Sequence, residues 1–171
     1  TLDKDITEEA FAMIDTNEVL IHKKSTVLYQ EHWHKGVIGI VASRLIEKYH
    51  RPTIVLASSN GKAVGSGRSV PGFDLHDAID ACSEYLVQFG GHKYAAGLTI
   101  ELDKIDDFKT AFDKVVSERI TDEQLIPQIE IDAEIELTDI NEKFFNIIEQ
   151  MGPFGPGNMR PVFVTKNVYD T

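Results

Sequence analysis

TIVLASSNGKAVGSGRS, residues 53–69, reads as a β-hairpin. The apolar run 53–57 enters a turn, SSNGK, and KAVGSGRS leaves it as a second strand loosened by glycines. Upstream, TVLYQ (26–30) has the composition of a strand. Val37 to Tyr49 then places Val37, Ile38, Val41, Leu45, Ile46 and Tyr49 on one helical face, closed by Pro52. Downstream, Asp74 is suited to cap a helix whose Leu75, Ala78, Ile79, Cys82, Tyr85, Leu86 and Phe89 form an i, i+3, i+4 stripe. Gly90 stands where a left-handed residue would end it. After GGHKY, AAGLTIEL reads as a buried strand, and Ile105, Phe108, Phe112, Val115 and Arg119 mark a further helix. The resulting order, β-α-β-β-α-β-α over residues 22–121, predicts an α/β layer structure with a mixed sheet flanked by helices.

The flanks read differently. Ile6, Ala10, Met13 and Ile14 recur at helical spacing in the first 21 residues, as in the tail of a connector helix. TDEQLIP (121–127) is polar and ends in proline, a boundary, so residues 128–171 are expected to form a second unit. There QIEIDAEIEL alternates Ile129, Ile131, Ala133, Ile135 and Leu137 with Glu130, Asp132, Glu134 and Glu136, as in a half-solvated strand. Phe144, Ile147, Ile148 and Met151 define a helix, the turn-rich PFGPGN ends it, and PVFVTKNVYD reads as another strand. Strand, helix and strand do not close a sheet, so this unit is either docked or partial.

The net charge of −11 argues against a nucleic-acid binder until its distribution is seen. Residues 1–21 carry −5, residues 22–97 carry +3 and residues 98–171 carry −9, and all six histidines fall in the basic middle. Any anionic ligand is expected there. No run of eighteen apolar residues predicts a membrane span, and the acidic first residues do not form a secretory leader. One cysteine, Cys82, builds neither a disulfide framework nor a Cys-based zinc site. A cytoplasmic protein is expected.

Three segments carry donors for an anion. VGSGRS (64–69) offers Ser66, Ser69 and Arg68, whose guanidinium fork clamps oxyanions better than lysine; a twisted strand with an exposed arginine accounts for the same residues equally well. It lacks the spacing and the lysine of a phosphate loop. GGHKYAAG (90–97) combines Gly90 and Gly91, which permit close backbone approach, with His92 as a donor, although a helix cap followed by a solvated histidine is the plainer account. HWHKG (32–36) precedes a helix start. His32 and His34 would give a metal only two ligands with no supporting carboxylate, so His34 and Lys35 point to phosphate or structural contacts. Asp74, Asp77 and Asp80 read as a solvated helix face, and Cys82 as a packing residue.

HWHKGVIGIVASRL, VGSGRS and FGGHKYAAG, in this order, resemble the DHH-associated domain of RecJ-like single-stranded-DNA exonucleases of the DHH phosphoesterase superfamily. MGPFGPGNMRPVF resembles the start of the OB-fold that follows it there. The resemblance implies a partition: 1–21 a connector helix from a catalytic domain, 22–121 the DHH-associated substrate-binding domain, and 128–171 a partial OB-fold. It also implies that Arg68, Ser66, Ser69 and His92 contact substrate phosphate, that Gly90 and Gly91 shape the loop, and that His34 assists. In such enzymes the DHH domain holds Mn²⁺ or Mg²⁺. No DHH tripeptide occurs in this sequence, so neither catalytic nor metal-binding residues are expected within it. The implied role is the substrate-binding part of a metal-dependent 5′-to-3′ exonuclease of DNA repair and recombination. Single-stranded DNA would be its partner, and a protein partner could meet the acidic strand face. Two other readings stay open: a DHH-family phosphoesterase acting on oligonucleotides or cyclic dinucleotides, and a non-catalytic nucleic-acid-binding module.

Overall fold

In the computed structural model, which describes residues 1–169, α1 (Leu2–Asp15) and α2 (Glu18–Ile21) lead into β1 (Thr26–Gln30), α3 (Ile38–Tyr49), β2 (Thr53–Ser59) and β3 (Lys62–Arg68). The hairpin forms as the sequence reads. Its turn is Asn60-Gly61, both at positive φ (52° and 76°), the backbone that two-residue hairpin loops require. Next come α4 (Leu75–Asp80), β4 (Leu86–His92), β5 (Ala95–Glu101) and α5 (Ile105–Arg119). The sheet order is β1-β2-β3-β5-β4, with β1 parallel to β2 and the other pairings antiparallel.

One segment departs from expectation. The helix beginning at Asp74 stops at Asp80, passes through a 3₁₀ turn at Ser83–Tyr85 and gives way to the strand β4. Gly90 therefore sits within a strand and caps no helix, and the order is β-α-β-β-α-β-β-α, one strand more than predicted. The physical reason is that β5 offers β4 an antiparallel ladder, broken by a register shift between Leu86 and Gln88, while Cys82, Tyr85, Leu86 and Phe89 still reach the same core. Burial is satisfied by either backbone, and cross-strand hydrogen bonding decides between them.

Each face of the sheet has its own core. One is built on Ile54, Leu56, Ala63, Leu98 and Ile100 under Phe108, Phe112 and Val116 of α5 and Leu75 and Ile79 of α4. Cys82 lies in this core, and burial pushes its thiol up to about 11, so it stays protonated at neutral pH. The opposite face packs Leu28, Val55 and Ala57 under Val41, Ala42 and Leu45 of α3, which in turn carry Ile6, Ala10 and Ile14 of α1. The same alternation explains β3 and β5, where every second residue is buried.

Two polar clusters tie the first helices down. Arg51 is buried, and its guanidinium donates to Thr26 Oγ1 (2.7 Å) and to the carbonyls of Leu20 (2.9 Å), Ile21 (3.0 Å) and Lys23 (2.5 Å) around the end of α2. Glu9 of α1 accepts at one carboxylate oxygen from the indole N–H of the buried Trp33 and from His32 Nε2, each at 2.9 Å. Burial works to raise the Glu9 pKa, but the bonds from Trp33 and His32 outweigh it and hold the carboxyl below its ordinary value. A carboxylate depressed on folding contributes stability above its unfolded pKa, and that contribution fades as pH falls through the lower folded value. Acid titration of the emission of Trp33, the single tryptophan, should therefore show a step below the ordinary glutamate pKa. Glu9→Gln should abolish it; a step that persists in Glu9→Gln would assign it to another group.

The chain divides into two units, Thr1–Pro127 and Gln128–Thr171. In the second, the long strand expected at 128–137 is only β6 (Ala133–Glu134), followed by a 3₁₀ turn at Leu137–Asp139 and α6 (Glu142–Gln150). The strand expected at 161–170 is only β7 (Phe163–Val164). Asp170 of that expectation lies outside the described residues. The two short strands pair in parallel with no further neighbour in their sheet. The alternation at 129–137 therefore finds no extended ladder and no covered face: Ile129 and Ile131 are exposed. Of the acids on that stretch, Glu134 pairs with Lys166 at 2.6 Å and Asp132 accepts from the Val162 N–H at 2.8 Å.

Candidate functional site

Directly paired residues of an antiparallel ladder share a face. The register therefore sets Arg68, Ala95 and His92 in one row across β3, β5 and β4, with Ser66, Gly97 and Gly90 in the next row and Val64, Thr99 and Gln88 in the third. This is the face that α3 covers over β1, β2 and part of β3. Beyond α3 it lies open. Gly90 and Gly97 are exposed, and the two glycines with Val64, Gln88 and Thr99 border a shallow depression of about 480 Å³. Neither glycine has a positive φ, and a Cβ at Gly90 would meet nothing within 4 Å, while one at Gly97 would meet only the Gly65 carbonyl oxygen at 3.8 Å. Glycine weakens a strand, and here packing does not ask for it. The bare backbone is open to close approach from outside.

Arg68 and Ser66 are in contact at one side of this depression. Arg68 Nη1 donates to Ser66 Oγ (3.0 Å) and to the Gly67 carbonyl (2.8 Å). The five arginines differ in what holds them. Arg44, Arg119 and Arg160 are paired with Asp3, Asp77 and Glu149, and Arg51 is enclosed by carbonyls. Arg68 alone is partly exposed with no carboxylate partner among the described residues. A guanidinium bonded only to neutral oxygens keeps its full charge and its remaining donors for an anion.

The other residues singled out from sequence are placed less directly. Ser69 Oγ donates to the Phe73 carbonyl (3.0 Å) and Ser69 N–H to the Tyr94 carbonyl (3.1 Å), so this serine closes the 69–73 loop against the tip of the β4–β5 hairpin. His92 lies in the same row as Arg68 but two strands away, roughly 10 Å at the usual strand spacing. Its Nδ1 accepts from the Tyr94 N–H at 3.3 Å, and its surroundings include Asp74, Asp77, Asp80 and Lys93. Gly91 has φ +142° and belongs to the opposite face, where it packs on Ala95 and Ala96. His34 is exposed in the loop before α3, its Nδ1 accepting from the Gly36 N–H at 3.0 Å. The structure thus joins Ser66 to Arg68, sets Gly90 on the floor beside them, and leaves His92, Ser69, Gly91 and His34 at the margins.

Sequence reasoning passed over Gly97, Gln88 and Thr99, because their place on the floor depends on β4 being a strand. It also passed over Gly39, whose signal was available: a glycine inside a helix costs stability and asks for a reason. Among the described residues no group of three or more His, Cys, Asp or Glu side chains is placed to hold a metal ion. No helix among the described residues is long and apolar enough to cross a membrane.

Comparison with known proteins adds a family to this geometry. Residues 22–118 match the DHHA1 domain and residues 131–171 match the RecJ OB domain. The chain is 32% identical over 164 residues to the single-stranded-DNA-specific exonuclease RecJ of Bacillus subtilis, covering 95% of this chain and 21% of that protein. It is 36% identical over 141 residues to the protein of the same name from Haemophilus influenzae, covering 80% and 24%. The crystal structure of RecJ in complex with Mn²⁺ from Thermus thermophilus superposes with a TM-score of 0.83 at 24% identity, over 96% of this chain and 24% of that one. The chain thus spans between a fifth and a quarter of the length of these relatives, and the last comparison is of fold.

Proposed function

Since the chain belongs to the DHHA1 domain family, as a RecJ-like member of the DHH superfamily, we propose that it is the substrate-binding part of a metal-dependent 5′-to-3′ single-stranded-DNA exonuclease of DNA repair and recombination. The observation that carries this reading is Arg68, the one partly exposed arginine without a carboxylate partner among the described residues, held by Ser66 beside a glycine floor. In this reading Arg68 and Ser66 take a backbone phosphate, and Gly90 and Gly97 let the strand lie close to the sheet. His92 and Lys93, at the far end of the Arg68 row, meet the next part of the chain of phosphates. Ser69 and Gly91 act through the loop and the hairpin tip that they shape, and His34 stands nearest the start of α3.

Hydrolysis of a phosphodiester needs a group that activates water and neutralises the charge building on the phosphate, chemistry that a bound divalent ion supplies. We propose that in the whole protein Mn²⁺ or Mg²⁺ does this on residues outside this chain, that this chain alone is catalytically silent, and that it works in the cytoplasm. Its own contribution is alignment, which needs cationic donors and a floor free of side chains.

The test is fluorescence anisotropy of a labelled 5′-phosphorylated single strand titrated at low and moderate salt. Arg68→Ala should weaken binding by roughly 10- to 100-fold, as expected for loss of a charge-assisted contact, and should make the salt dependence shallower by about one phosphate contact. His92→Ala should weaken it less. Binding that is indifferent to Arg68→Ala would remove the residue on which the reading rests.

A further inference from the structure

Gly39 lies in the first turn of α3, and the three heavy atoms nearest to a Cβ built there all belong to the phosphate-facing pair: Arg68 Nη2 at 3.1 Å, Ser66 Oγ at 3.1 Å and Arg68 Cζ at 3.8 Å. The backbone does not ask for glycine, since Gly39 is helical and is not among the glycines at positive φ. Helix propensity disfavours it. The tight neighbours are not the core either, but the guanidinium at the far end of the flexible, partly exposed Arg68 side chain and the Ser66 hydroxyl bonded to it. What the missing side chain supplies is room for the Arg68 guanidinium against the helix.

Arg68 Nη1 is already committed to Ser66 Oγ and the Gly67 carbonyl, so the guanidinium is fixed on one edge by β3. Nη2, the other terminal nitrogen, is the one that faces Gly39. The first turn of α3 is not closed by a side chain, because Val37 at its cap makes no side-chain hydrogen bond to it. We infer that Gly39 is a positioning residue for Arg68: its bare Cα lets the guanidinium rest between the first turn of α3 and Ser66, and any side chain there displaces it. The inference deepens the phosphate-binding reading and rests on it for its functional meaning, but the geometry is testable without a ligand.

The experiment is Gly39→Ala in the full chain, read in three ways. Thermal unfolding should be unchanged or move upward, because alanine favours the helix and a side-chain tip yields at little cost. The Arg68 Nε–H NMR resonance, assigned by its loss in Arg68→Lys, should shift as the guanidinium leaves Ser66. Affinity for a 5′-phosphorylated single-stranded oligonucleotide should fall roughly tenfold, comparable to losing one charge-assisted contact. An unmoved Arg68 resonance together with unaltered affinity, while Arg68→Ala weakens binding, overturns the role of Gly39 and leaves the phosphate reading standing. A shifted resonance with affinity indifferent to both Gly39→Ala and Arg68→Ala supports the positioning and overturns the phosphate reading.

Discussion

Gly91→Ala is expected to destabilise the chain by about 3 kcal/mol, combining the strain of an unfavourable φ with overpacking against a backbone. Gly91 sits at φ +142°, a conformation that L-residues rarely adopt, and it faces Ala96 across the β4–β5 ladder. A Cβ there would collide with the Ala95 carbonyl oxygen and come within 2.6 Å of Ala96 Cα, and neither of these can swing aside as a side chain would. The strand must separate, carrying His92 with it. Its neighbour is the control: Gly90→Ala meets nothing within 4 Å and should leave stability nearly unchanged while narrowing the floor of the depression. Urea unfolding of the two variants checks this, with a large fall in midpoint for Gly91→Ala and almost none for Gly90→Ala. Equal midpoints would mean that the hairpin does not hold this backbone.

Replacing Arg51 with Met should cost a similar amount, about 3 kcal/mol, for a different reason. The aliphatic part of the side chain is kept, but the carbonyls of Leu20, Ile21 and Lys23 and the hydroxyl of Thr26 lose their shared donor. Each buried polar group left unsatisfied costs about 1–3 kcal/mol, reduced where water can reach it at the end of α2. Burial lowers the Arg51 pKa without discharging it at any ordinary pH, so the cluster should be indifferent to pH between about 5 and 9. Thermal unfolding of Arg51→Met should show the loss, and hydrogen exchange should locate it in residues 17–26. A midpoint within experimental error of the parent would show that water replaces the guanidinium fully.

Much of the architecture was legible in the sequence, for reasons that particular elements make plain. Asn60-Gly61 between two apolar runs has few alternatives to a hairpin. The 37–49 stripe matches a helix and nothing else, since Ile38, Val41 and Leu45 are buried at that spacing. The 75–89 stripe misleads because Cys82, Tyr85, Leu86 and Phe89 do belong to the core, yet a helix and a turn-plus-strand both deliver them there. Only β5, more distant in sequence, selects the strand. The second unit failed in the opposite way: alternation at 129–137 was real, but alternation forms a strand only where a partner supplies the ladder. For the site, Arg68 and Ser66 were visible as residue types in one motif. Their separation from His92, and the approach of Gly39, are products of packing that no local pattern encodes.

The row Arg68–Ala95–His92 has a kinetic meaning. β2–β3 and β4–β5 are each hairpins with short connections, local enough to form early, but Arg68 belongs to one and His92 to the other. They come into line only when β3 zips onto β5, a pairing that must first close the intervening loop and bring in α4. No half-folded chain holding a single hairpin can present both ends of that row. If the row binds an anion as proposed, that grip requires the β3–β5 closure, and refolding followed by ligand capture should lag behind refolding followed by the burial of Trp33.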